Sequence, residues 1–287
     1  MAVDENFRQA ADSYRRGRLD ETERLCRAVL TETPDHFDAL HLLGVVRAHV
    51  GDNEEAARLI EKAVNIKPQS GLANFHLARI LSELGRKEEA LIRIDVALAV
   101  NPDSAQFLFD RGSYLWELGR VEEAIRDFER TIALQPAAME AYINLSSVLL
   151  DLKRYDEALK VCDRAIVVAP DMAEAHNNRG NALLKLNMLE EALESYRHAV
   201  ALKPAYPTAV YNLGNVFMSL KQNHQALENF TKAIALDPGF ALAYMNRAKV
   251  LIILDRPREA LESCERAIQL NPALAQAYNF RAYSLLK

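Results

Sequence analysis

Small and apolar positions recur along this chain with a period of thirty-four residues. Counting each unit from residue 3, position 8 is small nine times: Ala10, Gly44, Ala78, Gly112, Ser146, Gly180, Gly214, Ala248 and Ala282. Position 20 is Ala56, Ala90, Ala124, Ala158, Ala192, Ala226 and Ala260. Position 27 is Ala63, Ala97, Ala165, Ala199, Ala233 and Ala267. Small residues at fixed offsets let helix axes approach, and the larger apolar residues between them fill the gaps. The pattern predicts two helices per unit, A then B, over 3–36, 37–70, 71–104, 105–138, 139–172, 173–206, 207–240 and 241–274, with a partial unit at 275–287.

The polar punctuation predicts where each helix stops. Pro34, Pro68, Pro102, Pro136, Pro170, Pro204, Pro238 and Pro272 all occupy position 32. Helix B must end before them, because a residue preceding proline avoids the helical region. Gly17, Gly51, Gly85 and Gly119 at position 15 suit the left-handed residue that ends helix A. Lys153, Asn187, Lys221 and Asp255 replace glycine there, so those turns are expected to close another way. Acidic pairs such as Glu54-Glu55 and Glu190-Glu191 open helix B, where they complement its dipole. Pro207 and Pro257 stand at helix starts, where a missing N–H costs nothing.

These residues carry a resemblance to the tetratricopeptide repeat, a helix–turn–helix unit of this length, and it covers the whole chain. The resemblance implies an all-α solenoid, a right-handed superhelix, with residues 1–287 forming a single array. Such arrays present concave surfaces to other chains. Composition agrees: half of the 287 residues are hydrophobic, enough for a continuous linear core. The net charge of −5 comes largely from the acidic helix openings, and no basic stripe predicts nucleic-acid binding. The first residues lack a signal-like apolar segment, and no apolar run reaches membrane-spanning length. A cytoplasmic protein with no membrane partner is the expectation.

Chemistry is sparse. Cys26, Cys162 and Cys264 share position 24, where other repeats carry Ile60, Ile94, Phe128, Tyr196 and Phe230, so they read as core residues several repeats apart. His41, His49 and His76 fall on the inner face of helix A, without the one-helix spacing of a metal pair. No phosphate-binding, metalloprotease or nucleophile-elbow motif occurs. The chain is expected to need no cofactor or metal and to catalyse nothing by itself.

Function then rests on helix A positions 2, 5, 6, 9, 12 and 13, which line the concave face in this fold. Repeats 1–4 place an aromatic, mixed surface there, including Phe75, His76, Phe109 and Trp116. Repeats 5–8 place Asn144, Asn178, Asn212 and Asn246 at position 6, with Asn181 and Asn215 at position 9 and Asn177 and Tyr211 at position 5. Asparagine is a mediocre helix former, so an in-register column needs a reason. One reason is pairing with the backbone of an extended peptide, since each amide both donates and accepts. The other is hydrogen bonding between neighbouring helices. A clamp for a terminal carboxylate is excluded, because Asn177, Leu242 and Asn246 stand where its cations should be.

The stretch AHNNRGNALLKLNMLEEALESYRHAVALKP and its successor AVYNLGNVFMSLKQNHQALENFTKAIALDP resemble the repeat arm of O-linked N-acetylglucosamine transferases. The opening FRQAADSYRRGRLDETERLCRAVLTETP resembles SPINDLY-like bacterial relatives. That resemblance implies an arm capturing protein substrates for a glycosyltransferase domain beyond Lys287. Arg8, Leu42, His76 and Asp110 at position 6 depart from that family's asparagines. A free-standing scaffold or adaptor is the alternative. The partial last repeat leaves a helix A without its helix B, which predicts either a longer chain or self-association through that end.

Overall fold

The computed structural model describes residues 2–287, and among them it contains seventeen helices and no strand. The chain divides into two compact units, Met1–Ala141 and Tyr142–Lys287. The first holds α1 (Ala2–Arg15), α2 (Leu19–Glu32), α3 (Phe37–His49), α4 (Asn53–Ile66), α5 (Gly71–Glu83), α6 (Lys87–Val100), α7 (Ala105–Glu117) and α8 (Val121–Leu134). The division falls within α9 (Met139–Asp151). The second continues with α10 (Tyr155–Val168), α11 (Ala173–Lys185), α12 (Leu189–Leu202), α13 (Pro207–Ser219), α14 (Asn223–Leu236), α15 (Ala241–Ile253), α16 (Pro257–Leu270) and α17 (Ala275–Leu285). Odd-numbered helices are the A helices of the repeats and even-numbered ones the B helices. Every B helix stops two residues short of its proline.

Each A helix packs on its own B helix, and the fit is set by positions 8 and 24. A Cβ added to Gly112 would lie 2.9 Å from the Phe128 ring, and one added to Gly180 or Gly214 would lie 2.7 Å from Tyr196 or Phe230. Where position 24 is small, position 8 carries a side chain: Ala10 with Cys26, Ser146 with Cys162, Ala248 with Cys264. The two positions trade volume and keep the packing full. Position 20 alanines are completely buried from Ala56 to Ala260, as their spacing predicts. All three cysteines are buried and free. Burial pushes the thiols of Cys26 and Cys162 up to about 12 and that of Cys264 to about 11, so they stay protonated.

The A-to-B turns correct the sequence expectation. Gly17, Gly51, Gly85 and Gly119 have φ of 72°, 85°, 77° and 75°. Lys153, Asn187, Lys221 and Asp255 adopt the same left-handed conformation, at 61°, 62°, 59° and 54°. The closing bond is also shared: the amide of position 16 donates to the carbonyl of position 11, as in Arg120 to Leu115 and Arg154 to Leu149, both 2.8 Å. This is one Schellman closure throughout. The geometry of the helix pair demands it; Lys153 and Lys221 accept backbone strain of roughly 1–2 kcal/mol each, and Asn187 and Asp255, whose side chains tolerate this conformation, accept less.

A-helix starts differ too. In the first unit His36, Ser70 and Ser104 accept from the amides of Ala39, Ala73 and Phe107 at 3.2, 3.4 and 3.4 Å. In the second, Met172, Tyr206, Phe240 and Leu274 stand at the same cap position and make no side-chain cap bond.

Arginines at position 7 tie repeats together. Arg111 donates from Nε and Nη2 to both oxygens of Asp127 at 2.7 Å, and from Nη1 to Asp95 of the preceding repeat at 2.9 Å. In the second unit Arg179 reaches Asp163 and Ser195, each at 2.7 Å, and Arg247 reaches Ser263 at 3.1 Å.

Candidate functional site

At Asn212 and Asn246, position 6 of the A helix meets the preceding repeat between its positions 5 and 9, which are neighbours one turn apart on a helix face. In the second unit amides fill these slots. Asn212 donates both Nδ2 hydrogens backward, to Asn177 Oδ1 and Asn181 Oδ1 at 3.1 Å each. Asn246 does the same to Tyr211 Oη at 3.0 Å and Asn215 Oδ1 at 2.8 Å. Asn178 donates to Ser146 Oγ at 2.9 Å and to Ser147 Oγ at 3.3 Å. Tyr196 closes the set from α12, donating its hydroxyl to Asn181 Oδ1 at 2.7 Å. Burial raises the pKa of the Tyr211 phenol above its ordinary value, so it remains a neutral acceptor for Asn246.

Asn178, Asn212 and Asn246 therefore link helix to helix, and their donors are engaged. The Oδ1 atoms of Asn212 and Asn246 carry no hydrogen bond among the described residues, whereas Asn181 and Asn215 have Oδ1 occupied and Nδ2 unengaged. Asn144 makes no side-chain hydrogen bond among the described residues and is partly exposed. Asn177 and Asn178 are only 4% and 8% exposed.

A hollow of about 390 Å³ opens across this column. Asn178, Asn181, Asn212 and Asn215 line it together with Leu150 and Leu184. Ser147, Tyr155, Asp151 and Lys185 complete it. Leu150 and Leu184 share position 12 with Met218, and Asp151 and Lys185 share position 13. The sequence carried this apolar column in plain register, one turn beyond the asparagines. Asp151 and Lys185 are exposed and make no ion pair among the described residues.

The first unit fills the same slots with titratable groups. His76 at position 6 shares a hydrogen bond with His41 at position 5 of the preceding repeat, Nδ1 to Nε2, at 2.8 Å. Burial lowers the pKa of both rings; His76, also beside His41 and Arg79, falls to about 4. Both are neutral at pH 7, one donating and one accepting. Asp110 at position 6 lies 3.9 Å from Arg79 at position 9. Gln106 donates to its Oδ1 at 3.0 Å, while its buried Oδ2 has no hydrogen bond. Burial raises the Asp110 pKa against the pull of Arg79.

A second hollow, about 300 Å³, is lined by Tyr14, Val45, Ala48, His49, His76, Arg79, Ile80 and Glu83. Phe109 and Trp116 are partly exposed, and Phe109 tilts against Phe128 at 5.9 Å. Phe75 is a correction. Its ring stacks on Phe107 at 4.4 Å and is 6% exposed, so the next repeat covers it and it packs instead of presenting a contact surface. Among the described residues no cluster of three or more histidine, cysteine or acidic side chains is placed to hold a metal, and no helix is long and apolar enough to cross a membrane.

Family models described as tetratricopeptide repeats match residues 5–71 and 109–173, 47–108, 207–240 and 241–274. A further model, described as a TPR repeat, matches residues 180–221. No curated protein matches the chain. Among solved structures, a tetratricopeptide repeat protein from Parabacteroides merdae ATCC 43184 is similar with a TM-score of 0.67 and 17% identity, over 87% of this chain and 98% of that one. MamA 41-end from Desulfovibrio magneticus RS-1 is 26% identical with a TM-score of 0.55, over 59% of this chain and 96% of its own. YrrB, described as a TPR protein with an unusual peptide-binding site, is 26% identical with a TM-score of 0.54, over 65% and 96%.

Proposed function

The chain belongs to the tetratricopeptide repeat family, a non-catalytic interaction module, and from that premise we propose that its second unit holds extended peptide segments on its A-helix face. The observation that carries this reading is the hollow of about 390 Å³, lined together by amide and hydroxyl groups, by Leu150 and Leu184, and by two charges that make no ion pair among the described residues. Such a surface offers hydrogen bonds to a peptide backbone and burial to its side chains at once. The likeness to YrrB supports the same reading. The protein then acts as a scaffold that gathers partners through short segments.

Selection of peptides from a random display library against the whole chain tests it. Binding should weaken at least about tenfold, or about 1.4 kcal/mol, when Asn144→Ala and Lys185→Ala are combined. Neither side chain holds the fold, so the melting curve should not move. Val167→Ser on α10, at a residue 82% exposed, should leave affinity unchanged. Failure to select any binder, or equal affinity for all three proteins, overturns the proposal.

The in-register asparagines favour one narrower reading, a substrate-recruiting arm for a glycosyltransferase resembling the O-linked N-acetylglucosamine enzymes. Selected peptides should then be rich in serine and threonine near the contacted segment. A library result without that enrichment removes the enzymatic reading and leaves the scaffold.

A further inference from the structure

The hollow of the second unit carries more than the presence of a ligand; it carries a spacing. The A helices of successive repeats pack directly on one another, α11 on α13 and α13 on α15. Packed helix axes stand about 8–10 Å apart. Features carried by α11, α13 and α15 therefore repeat at about that interval. The aliphatic column runs Leu150, Leu184, Met218; the free amide oxygens run Asn212, Asn246; and the charges Asp151 and Lys185 occupy consecutive repeats.

A peptide backbone can match that interval in one common conformation. In a β-strand, side chains on one face recur about every 6.6–6.8 Å, which falls out of step after a single repeat. In a polyproline II helix they recur every third residue, at about 9.3 Å, and no backbone hydrogen bonds are used internally. Its N–H groups are thus free to donate. Donation can be accepted at Asn212 and Asn246, whose Nδ2 hydrogens are engaged with the preceding repeat while their Oδ1 atoms remain open; Asn181 and Asn215, with Oδ1 taken and Nδ2 unengaged among the described residues, can donate in turn to the ligand's carbonyls.

We propose, resting on the peptide-binding reading above, that the second unit is matched to a left-handed polyproline II segment carrying an aliphatic side chain at every third residue. One N–H per turn of that segment faces an asparagine oxygen, and the aliphatic side chains lie along Leu150, Leu184 and Met218. The rim adds charge complementarity: a cationic residue of the ligand faces Asp151, and an acidic residue one turn away faces Lys185.

Three synthetic peptides of identical composition test the spacing, with leucine at every third position, at alternate positions, or clustered at one end. Each carries a dye and is titrated against the whole chain by fluorescence anisotropy. The every-third peptide should bind at least about tenfold more tightly than either other. Equal binding of the three, or preference for alternate spacing, overturns the spacing while leaving peptide binding in place. No binding by any of them overturns both. A second pair of peptides carries lysine and glutamate three residues apart in either order. The wild type should prefer one order, and the exposed double swap Asp151→Lys with Lys185→Asp should prefer the other. An unchanged preference overturns the charge assignment.

Discussion

The two units build the same scaffold by different means. In the first, local signals fix each repeat: glycine at four left-handed turns and polar caps at His36, Ser70 and Ser104. In the second, the turns carry Lys153, Asn187, Lys221 and Asp255, and the cap positions of α11, α13, α15 and α17 are Met172, Tyr206, Phe240 and Leu274. There the repeats are tied by the amide column. The links themselves are interchangeable, since position 6 reaches back to positions 5 and 9 in both units. The first unit makes them with His41, His76, Arg79 and Asp110, and the second with neutral amides and hydroxyls. Repeat geometry sets where a link falls, and the side chain sets whether pH can reach it.

The largest expected effect contrasts the arginine ties. Arg111→Ala leaves the carboxylate of Asp127, 5% exposed, without its bidentate partner. Breaking such a buried pair costs about 3–5 kcal/mol. Arg179→Ala strands a neutral Ser195 hydroxyl and an exposed Asp163, so it should cost only about 1–2 kcal/mol. Urea unfolding of the two variants measures the difference. Equal midpoint shifts would show that the ties contribute alike in both units.

Acid should separate the units next. The folded pKa of His76 is depressed to about 4, so the unfolded chain binds its proton first as pH falls. This part of the stability is fully present above the ordinary histidine pKa of about 6.5 and is lost between there and about pH 4. Asp110 works the other way: its raised pKa costs stability as it ionises with rising pH. His76→Asn installs the second unit's chemistry at the same slot. From pH 7 to 4.5 the wild type should lose on the order of 2 kcal/mol more than this variant, read from parallel urea titrations. Identical pH profiles would break the contrast.

The turns give the smallest effect. Lys153→Gly relieves about 1–2 kcal/mol of left-handed strain but adds about 0.4–1 kcal/mol of unfolded-chain entropy. A net gain of roughly 0.5–1 kcal/mol is expected. Asn187→Gly should gain less, because asparagine tolerates this conformation. Thermal melts in which Lys153→Gly destabilises would show that its side chain holds the turn.

Helix boundaries, the buried alanines and the cysteines were legible in the sequence because each follows from a residue's own conformational or volume constraint. Pro34 through Pro272 stop helices, and Ala56 through Ala260 sit where axes approach. The left-handed Lys153 was not legible, since its conformation is imposed by the closure of the helix pair. The same holds for Phe75, which is covered by Phe107 from the following repeat. Arg111 and Asp127 lie sixteen residues apart, a spacing with meaning only once α7 is folded on α8. The asparagine column was visible, but the direction of its donors depends on the previous repeat. Leu150, Leu184 and Met218 were equally periodic at position 12 of the expected concave face, but that the first two border the hollow depends on how the A helices pack.

Side-chain amide and methyl resonances of the second unit, followed while a selected peptide is added, test the central claim most directly. The account predicts shifts concentrated at Asn178, Asn181, Leu184, Asn212 and Asn215, with the B-helix residues Val167 and Leu202 unmoved. Shifts centred on the B helices, or spread evenly over both faces, would contradict it.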